Sequence, residues 1–336
     1  GEITKTYRAA NTTLEIFNNQ GDAINKKKKL KEEFTPYLEE KLSYTFDNGN
    51  NTAIATRTLI SVPISTKWTI NTTYQYRKTE NTVTNVNAKT TDFLAGIEYK
   101  FHPKISYTID LGASSANSNS TSYTQALIST YFKLKPVKLQ DLEVGYKREI
   151  QNFNSDLISK EIAVNNYYFN YNLGTNFNFG WFTQYFYSSQ TDNNKRNLLF
   201  TSFYYNFKAN PVIKGGLNYQ YISYKNRVPT DYFSPKKFNA VELFLEILKD
   251  EKIAKVNSWY YNANMATGYQ FIEDDSKQWT YRIQAKVGYK FSDRLIANIY
   301  GTRSNIASAT AAGFTFNEFG LRIKWNIVSK PIFELK

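Results

Sequence analysis

The chain contains no cysteine and one histidine, His102, in 336 residues. The missing thiols exclude disulfides and thiolate chemistry, and they suit passage through an oxidising compartment. With one imidazole, a transition-metal site is not expected. His102 stands beside Pro103, where the reading is a turn residue and not a catalytic base. Asp274 and Asp275 are adjacent carboxylates in a polar stretch, which reads as a solvated turn and not as a glycosidase pair. The expectation is that the protein is not an enzyme and carries neither metal nor cofactor. Also lacking is any run approaching the ~20 apolar residues of a transmembrane helix, and the mean hydropathy is −0.53.

What is present is alternation. Trp279, Tyr281, Ile283, Ala285, Val287, Tyr289 and Phe291 fall on one side of a pleated segment, while Thr280, Arg282, Gln284, Lys286, Gly288 and Lys290 fall on the other. Comparable faces recur from Trp68 to Tyr76, Phe93 to Phe101, Ile105 to Ala113, Trp259 to Phe271 and Phe319 to Ile327. Each has the roughly 9 to 11 residues that a tilted strand needs to cross hydrocarbon. Aromatics at both ends of the apolar face, with aliphatic residues between, are the dress of a membrane-spanning strand. The fold class is therefore all-β, a transmembrane antiparallel up-and-down barrel. Its polar lumen keeps the mean hydropathy low.

Short connections are expected at 63–66, 102–104, 135–140, 173–175, 208–211, 249–253 and 292–294, and longer polar loops at 47–52, 78–85, 114–121, 152–159, 188–197, 225–237, 273–277 and 303–312. Seven turns interleaved with eight loops join about sixteen strands, which leaves both termini on the short-turn, periplasmic side. Residues 34–328 are assigned to the barrel and 329–336 to a periplasmic tail. Residues 1–33 read as a helical lead-in, from the spacing of Tyr7, Ala10, Leu14, Phe17 and Ile24, and serve either as a linker or as a plug. Gly1 is expected to be a processed start from which any export signal has been removed.

Parity assigns to the lumen Lys67, Asp92, Glu98, Lys100, Asp110, Glu143, Lys147, Arg282, Lys286, Lys290, Arg322 and Lys324, with Lys133, Lys214, Asp141, Glu149, Glu242 and Glu246. The two signs nearly balance. Wall charges set selectivity, so the mixture points to a neutral or weakly charged cargo. The +13 net charge is divided between lumen and loops, with no module for nucleic acid. Aromatics also fall on the polar side, and Tyr131, Tyr168, Phe182, Phe186, Tyr204, Tyr260 and Tyr300 are candidate sugar-stacking residues beside Asn, Gln and Thr. Wall packing is the competing role for each. The partners expected are outer-membrane lipid, a polysaccharide cargo and periplasmic export proteins.

On the last strand, Glu318, Gly320, Ile323 and Trp325 resemble the terminal signal that outer-membrane barrels show to their insertion machinery, although the chain continues to Lys336. Together with the first strand, where Tyr44 and Phe46 precede Asp47-Asn48-Gly49-Asn50, the barrel resembles the C-terminal barrels of exopolysaccharide exporters, such as those for cellulose and poly-N-acetylglucosamine. The Asn- and Lys-rich composition resembles that of outer-membrane proteins of the Bacteroidota. The resemblance implies an outer-membrane export pore. A diffusion porin, with 225–237 as a constricting loop, is the alternative, and an outer-membrane scaffold or adhesin is the third.

Overall fold

The computed structural model describes residues 2–229, 232–307 and 315–334. Two helices, α1 (Glu2–Ile16) and α2 (Gly21–Glu33), precede sixteen strands. In chain order these are β1 (Tyr37–Asp47), β2 (Asn51–Pro63), β3 (Trp68–Asn81), β4 (Val86–His102), β5 (Ile105–Ser118), β6 (Ser122–Leu134), β7 (Gln140–Ile150) and β8 (Ala163–Gly174). They continue as β9 (Phe179–Gln190), β10 (Lys195–Ala209), β11 (Val212–Tyr224), β12 (Phe238–Lys249), β13 (Ser258–Ile272), β14 (Gln278–Lys290), β15 (Leu295–Ser304) and β16 (Phe316–Asn326). A short helix α3 (Ser155–Ser159) lies between β7 and β8.

Every strand pairs antiparallel with its chain neighbours, and β1 pairs with β16 from Tyr37↔Asn326 to Asp47↔Phe316, closing the cylinder. Closure leaves no edge, the condition for placing a sheet in hydrocarbon. An even strand number sets both ends of the barrel chain at one rim, called here the near rim. The far rim carries the β1–β2 connection and its equivalents.

The apolar face points outward. Phe93, Leu111, Phe203, Leu243, Met265, Ile299 and Phe319 are exposed on the outside of the wall, whereas their sequence neighbours turn into the lumen. Aromatic residues pair across strands toward each rim. Trp68–Tyr99 and Trp259–Tyr289 stand toward the near rim, at 4.4 and 5.0 Å between ring centroids, and Phe46–Phe319 toward the far rim at 6.4 Å. These belts mark the two membrane interfaces.

Four of the eight loops expected at the far rim are shorter than the sequence suggests. β3 runs to Asn81 and β5 to Ser118, and only residues 48–50 and 191–194 separate β1 from β2 and β9 from β10. Above the far belt both faces of the wall meet water, so alternation fades while the hydrogen-bonded ladder continues. Hydropathy alone therefore stops the strands too early. Long far connections occur at 151–162, 225–237 and 305–315, between β7 and β8, β11 and β12, and β15 and β16. At the near rim the β12–β13 connection runs over 250–257, longer than expected.

The helices sit at the near mouth. Leu30 and Phe34 are buried against Ile3, Tyr7 and Phe333. Lys28 on α2 pairs with Asp293 in the β14–β15 turn at 2.7 Å, and Glu33 pairs with Lys100 on β4 at 2.9 Å. The helix is thus tied to the wall on both sides of β1.

Adjacent residues on one strand separate the two solvents. Met265→Arg, on the lipid face, is expected to destabilise the barrel by about 2–4 kcal/mol. Asn264→Arg, on the lumen face, should leave it nearly unchanged. Urea unfolding in liposomes, followed by loss of the heat-dependent gel shift, checks both, and equal effects would contradict the assignment of faces.

Candidate functional site along the lumen

Lumen residues arrive from every strand because alternate side chains point inward. On the lumen side of the β16–β1 wall, Arg322 on β16 donates Nε and Nη2 to Glu39 Oε2 at 2.9 and 2.7 Å and Nη1 to Glu251 Oε2 at 2.7 Å. Glu251 belongs to the β12–β13 connection, so this bond draws that segment against the wall. Lys324 Nζ lies 4.0 Å from the centroid of the Tyr37 ring. At the near end, along β4 to β9, a cavity of about 410 Å³ opens, bordered by Glu33, Glu98, Lys100, Lys133, Glu143 and Phe182.

Along β11 to β14, Lys214 meets Glu246 at 2.9 Å and Arg282 meets Glu242 at 2.9 Å. Asn262 Nδ2 also donates to Glu246, at 2.7 Å. Opposite charges are thereby neutralised in place. Between these pairs lies a second cavity of about 300 Å³, bordered by Phe182, Phe200, Tyr204 and Phe244 together with the amides of Asn172, Asn218, Asn264 and Gln284. Phe182 borders both spaces.

Several inward tyrosines lie on glycines of the adjacent strand. Tyr168 faces Gly145, Tyr204 faces Gly180, Tyr260 faces Gly288 and Tyr300 faces Gly320 in direct register. A Cβ built at Gly180, Gly288 or Gly320 would come within 2.1 to 2.2 Å of the covering ring. The rings lie flat because the glycines leave room, and each covers backbone that a bare glycine would expose. Tyr260 is fully buried, with its hydroxyl accepting from Asn298 Nδ2 at 3.0 Å, so its ring has no open face. Tyr168 stacks on Phe186 at 5.2 Å, and Tyr131 lies under Lys133 Nζ at 4.8 Å. Phe182 faces Phe200 at 6.1 Å and borders open space.

The other sequence-assigned residues are spread along the lumen. Asp92 accepts from Ser114, Asp110 borders Gly96, and Lys147 contacts Glu149. Lys286 projects inward from β14 by its register opposite Tyr300. Lys290 reaches Asp293 at 4.0 Å. Lys67 precedes the first residue of β3 in a near-rim turn, so strand parity does not place it in the lumen. Arg57, Arg77 and Arg196 also face inward, opposite Lys41, Ala55 and Ser188 respectively, and were not among the expected positions. The signal for them was parity. Extending the alternation past Tyr76, and back through the supposed 188–197 loop, would have found Arg77 and Arg196.

The described parts of the long far-rim loops turn into the far mouth. Asn154 Oδ1 accepts from Leu157 N at 2.8 Å and caps α3. Ile158 then packs against Ala88, Ala116, Leu127 and Ile150. Phe153 O accepts from Arg77 Nη2 at 3.2 Å. From the 225–237 loop, Tyr232 joins Leu157 and Ile162, and from the 305–315 loop, Ile306 and Ala307 join Ile222, Phe238 and Ala240. The Tyr232 hydroxyl lies 2.6 Å from Gln190 Oε1 and 2.7 Å from Asp192 Oδ2, and accepts from Asn194 Nδ2 at 2.7 Å. Burial, with the Asp192 carboxylate alongside, pushes that hydroxyl well above the ordinary phenol range, so it remains a donor. Beneath these loops a third cavity of about 320 Å³ is bordered by Thr45, Arg77, Arg196, Tyr224 and Glu318.

No protein-family model and no curated protein matches the sequence. Solved structures do match in fold. One described as a bacterial polysaccharide outer membrane secretin aligns over 88% of this chain and 99% of its own, at 11% identity and a TM-score of 0.70. CdiB from Acinetobacter baumannii aligns over 87% of this chain and 60% of its own, at 7% identity and a TM-score of 0.50. The fold is that of outer-membrane barrels.

Tyr232 ties two inward loops to the wall. Tyr232→Ala is therefore expected to raise single-channel conductance in planar bilayers severalfold over the parent chain. An unchanged conductance would mean that these loops do not control the path.

Proposed function

We propose that this protein is an outer-membrane channel that exports a neutral or weakly charged polysaccharide, with its near rim in the periplasm. The observation carrying this reading is the middle of the lumen. Aromatic faces of Phe182, Phe200 and Phe244 alternate there with side-chain amides, while the charges are occupied by one another. A pyranose offers a C–H face for stacking and hydroxyls for amide hydrogen bonds, so that lining fits its surface. A polyanion would call for a wall of one sign. The likeness in fold to a polysaccharide outer-membrane protein is consistent with this reading.

The inward loops serve as a gate at the far mouth in this reading. Residues 1–33 act at the periplasmic mouth in this reading, strapped to it where Lys28 meets Asp293 and Glu33 meets Lys100. Periplasmic export partners would meet the chain at that end. Gly320, Ile323 and Trp325 would present the last strand to the insertion machinery, with Gly320 also seating Tyr300.

A diffusion porin is the second reading, favoured by the inward fold of the 225–237 loop, which could act as a standing constriction. The described parts of the three long loops pack into the mouth, which counts against display as an adhesin.

Current block separates the readings. Through the Tyr232→Ala pore, neutral β-linked oligosaccharides should interrupt the current with longer dwell times than acidic oligosaccharides of equal length. Phe182→Ala combined with Phe200→Ala should shorten those dwells about tenfold, corresponding to the loss of one or two stacking contacts. Absence of block by neutral sugars, with rapid liposome swelling in small solutes by the parent chain, would favour the porin.

A further inference from the structure

A carboxyl group stands on the lipid face of the wall. Glu40 is on an outward position of β1, between Leu38 and Leu42, and is in register with Ile323 on one side and Thr58 on the other. Its depth follows from the register. Trp259, Tyr289, Ala297, Ile323, Glu40, Thr58, Tyr74 and Phe93 are successive partners across β13 to β4. Strands tilted about 40° and spaced about 4.8 Å make such a row climb roughly 3 Å per strand. The row begins in the near aromatic belt at Trp259 and ends in the far belt at Phe93. Glu40 is the fourth step of seven, close to the middle of the hydrocarbon.

Other charges on outward strand positions are held toward strand ends, as with Lys78, Lys89, Arg148 and Arg303. Lys41, Arg57 and Arg322 are near in register but lie on the opposite side of the wall. Lipid headgroups are too far away to reach this depth. The hydrogen bond found for Glu40 among the described residues comes from Thr58 Oγ1 to Oε2, leaving the other carboxyl oxygen for a partner. Thr56 is the next outward residue on β2. Beside this polar spot runs an apolar groove of about 760 Å³, bordered by Leu42, Tyr44, Ile54, Val287, Ile299 and Phe319.

The geometry points to this wall, β16–β1–β2 with the adjoining groove, as a docking face for a second copy of the chain. The membrane holds two copies in the same orientation and at the same depth. A two-fold axis along its normal therefore sets Glu40 against Glu40. A polar group in hydrocarbon is costly unless it is hydrogen-bonded, so each carboxyl group needs a partner at that depth. One O–H donor and one carbonyl acceptor on each copy then form a reciprocal pair, with Thr58 holding each group in place. This chain places no outward cation at that height among the described residues, so self-pairing is the complementary match it can offer.

The native sequence has no cysteine, so a single introduced thiol reports contacts between copies alone. Leu42→Cys, reconstituted at low density in phosphatidylcholine liposomes and oxidised, should yield a disulfide-linked dimer. Leu217→Cys, on β11 away from this face, should not. In the Leu42→Cys chain, Glu40→Leu should lower the dimer yield about tenfold, as expected for losing a reciprocal pair of intramembrane hydrogen bonds. Glu40→Gln, whose amide both donates and accepts, should retain it. The heat-dependent gel shift verifies that each variant is a folded barrel. Equal dimer yields from Leu42→Cys and Leu217→Cys, or an undiminished yield with Glu40→Leu, would overturn the proposal. So would a Leu42→Cys dimer that forms only when another membrane protein is added.

Discussion

The demand that every backbone N–H and C=O within hydrocarbon find a partner inside the sheet governs this structure. It is met by the β1–β16 ladder, which joins the first and last strands over their whole lengths. Closure then forces the chemistry of both faces. One side chain in two must satisfy lipid and the next must satisfy water. Opposite charges therefore accumulate inside, where Arg322, Lys214 and Arg282 each find a carboxylate across the lumen surface or on a neighbouring strand.

The lumen is organised by two devices. Tyrosines laid over glycines flatten the wall at four places, keeping bulky rings from crossing the path. Paired charges keep the middle free of a field of one sign, while Phe182 and Phe200 remain beside open volume. The far mouth follows a different rule. Its loops carry apolar residues that no lipid reaches, and Ile158, Tyr232, Ile306 and Ala307 bury themselves against one another's surroundings inside the cylinder.

Much of the wall was legible from alternation, because lipid and water select side chains at a period of two whatever the overall shape. Strand number followed from counting turns, and the inward placement of Glu98, Lys100, Arg282 and Arg322 from parity. Strand ends were not legible above the far belt. There the same Thr, Ser and Asn residues suit either a ladder or a loop. Arg77 and Arg196 were missed for that reason. The aromatic candidates illustrate a second limit: parity places Tyr204, Tyr260 and Tyr300 inside, but whether a ring lies on a glycine or on open space depends on the residue opposite it on another strand.

Sequence by itself determined the class of solvent on each side of each strand, and hence a barrel with both ends of its strand series at one rim. That information is local and repeats every second residue. Tertiary structure decided which charges meet, which rings remain open, how the long loops turn into the mouth and that Glu40 reaches mid-membrane depth. Those outcomes depend on register between strands, a long-range quantity set by closing the cylinder, which no single strand contains.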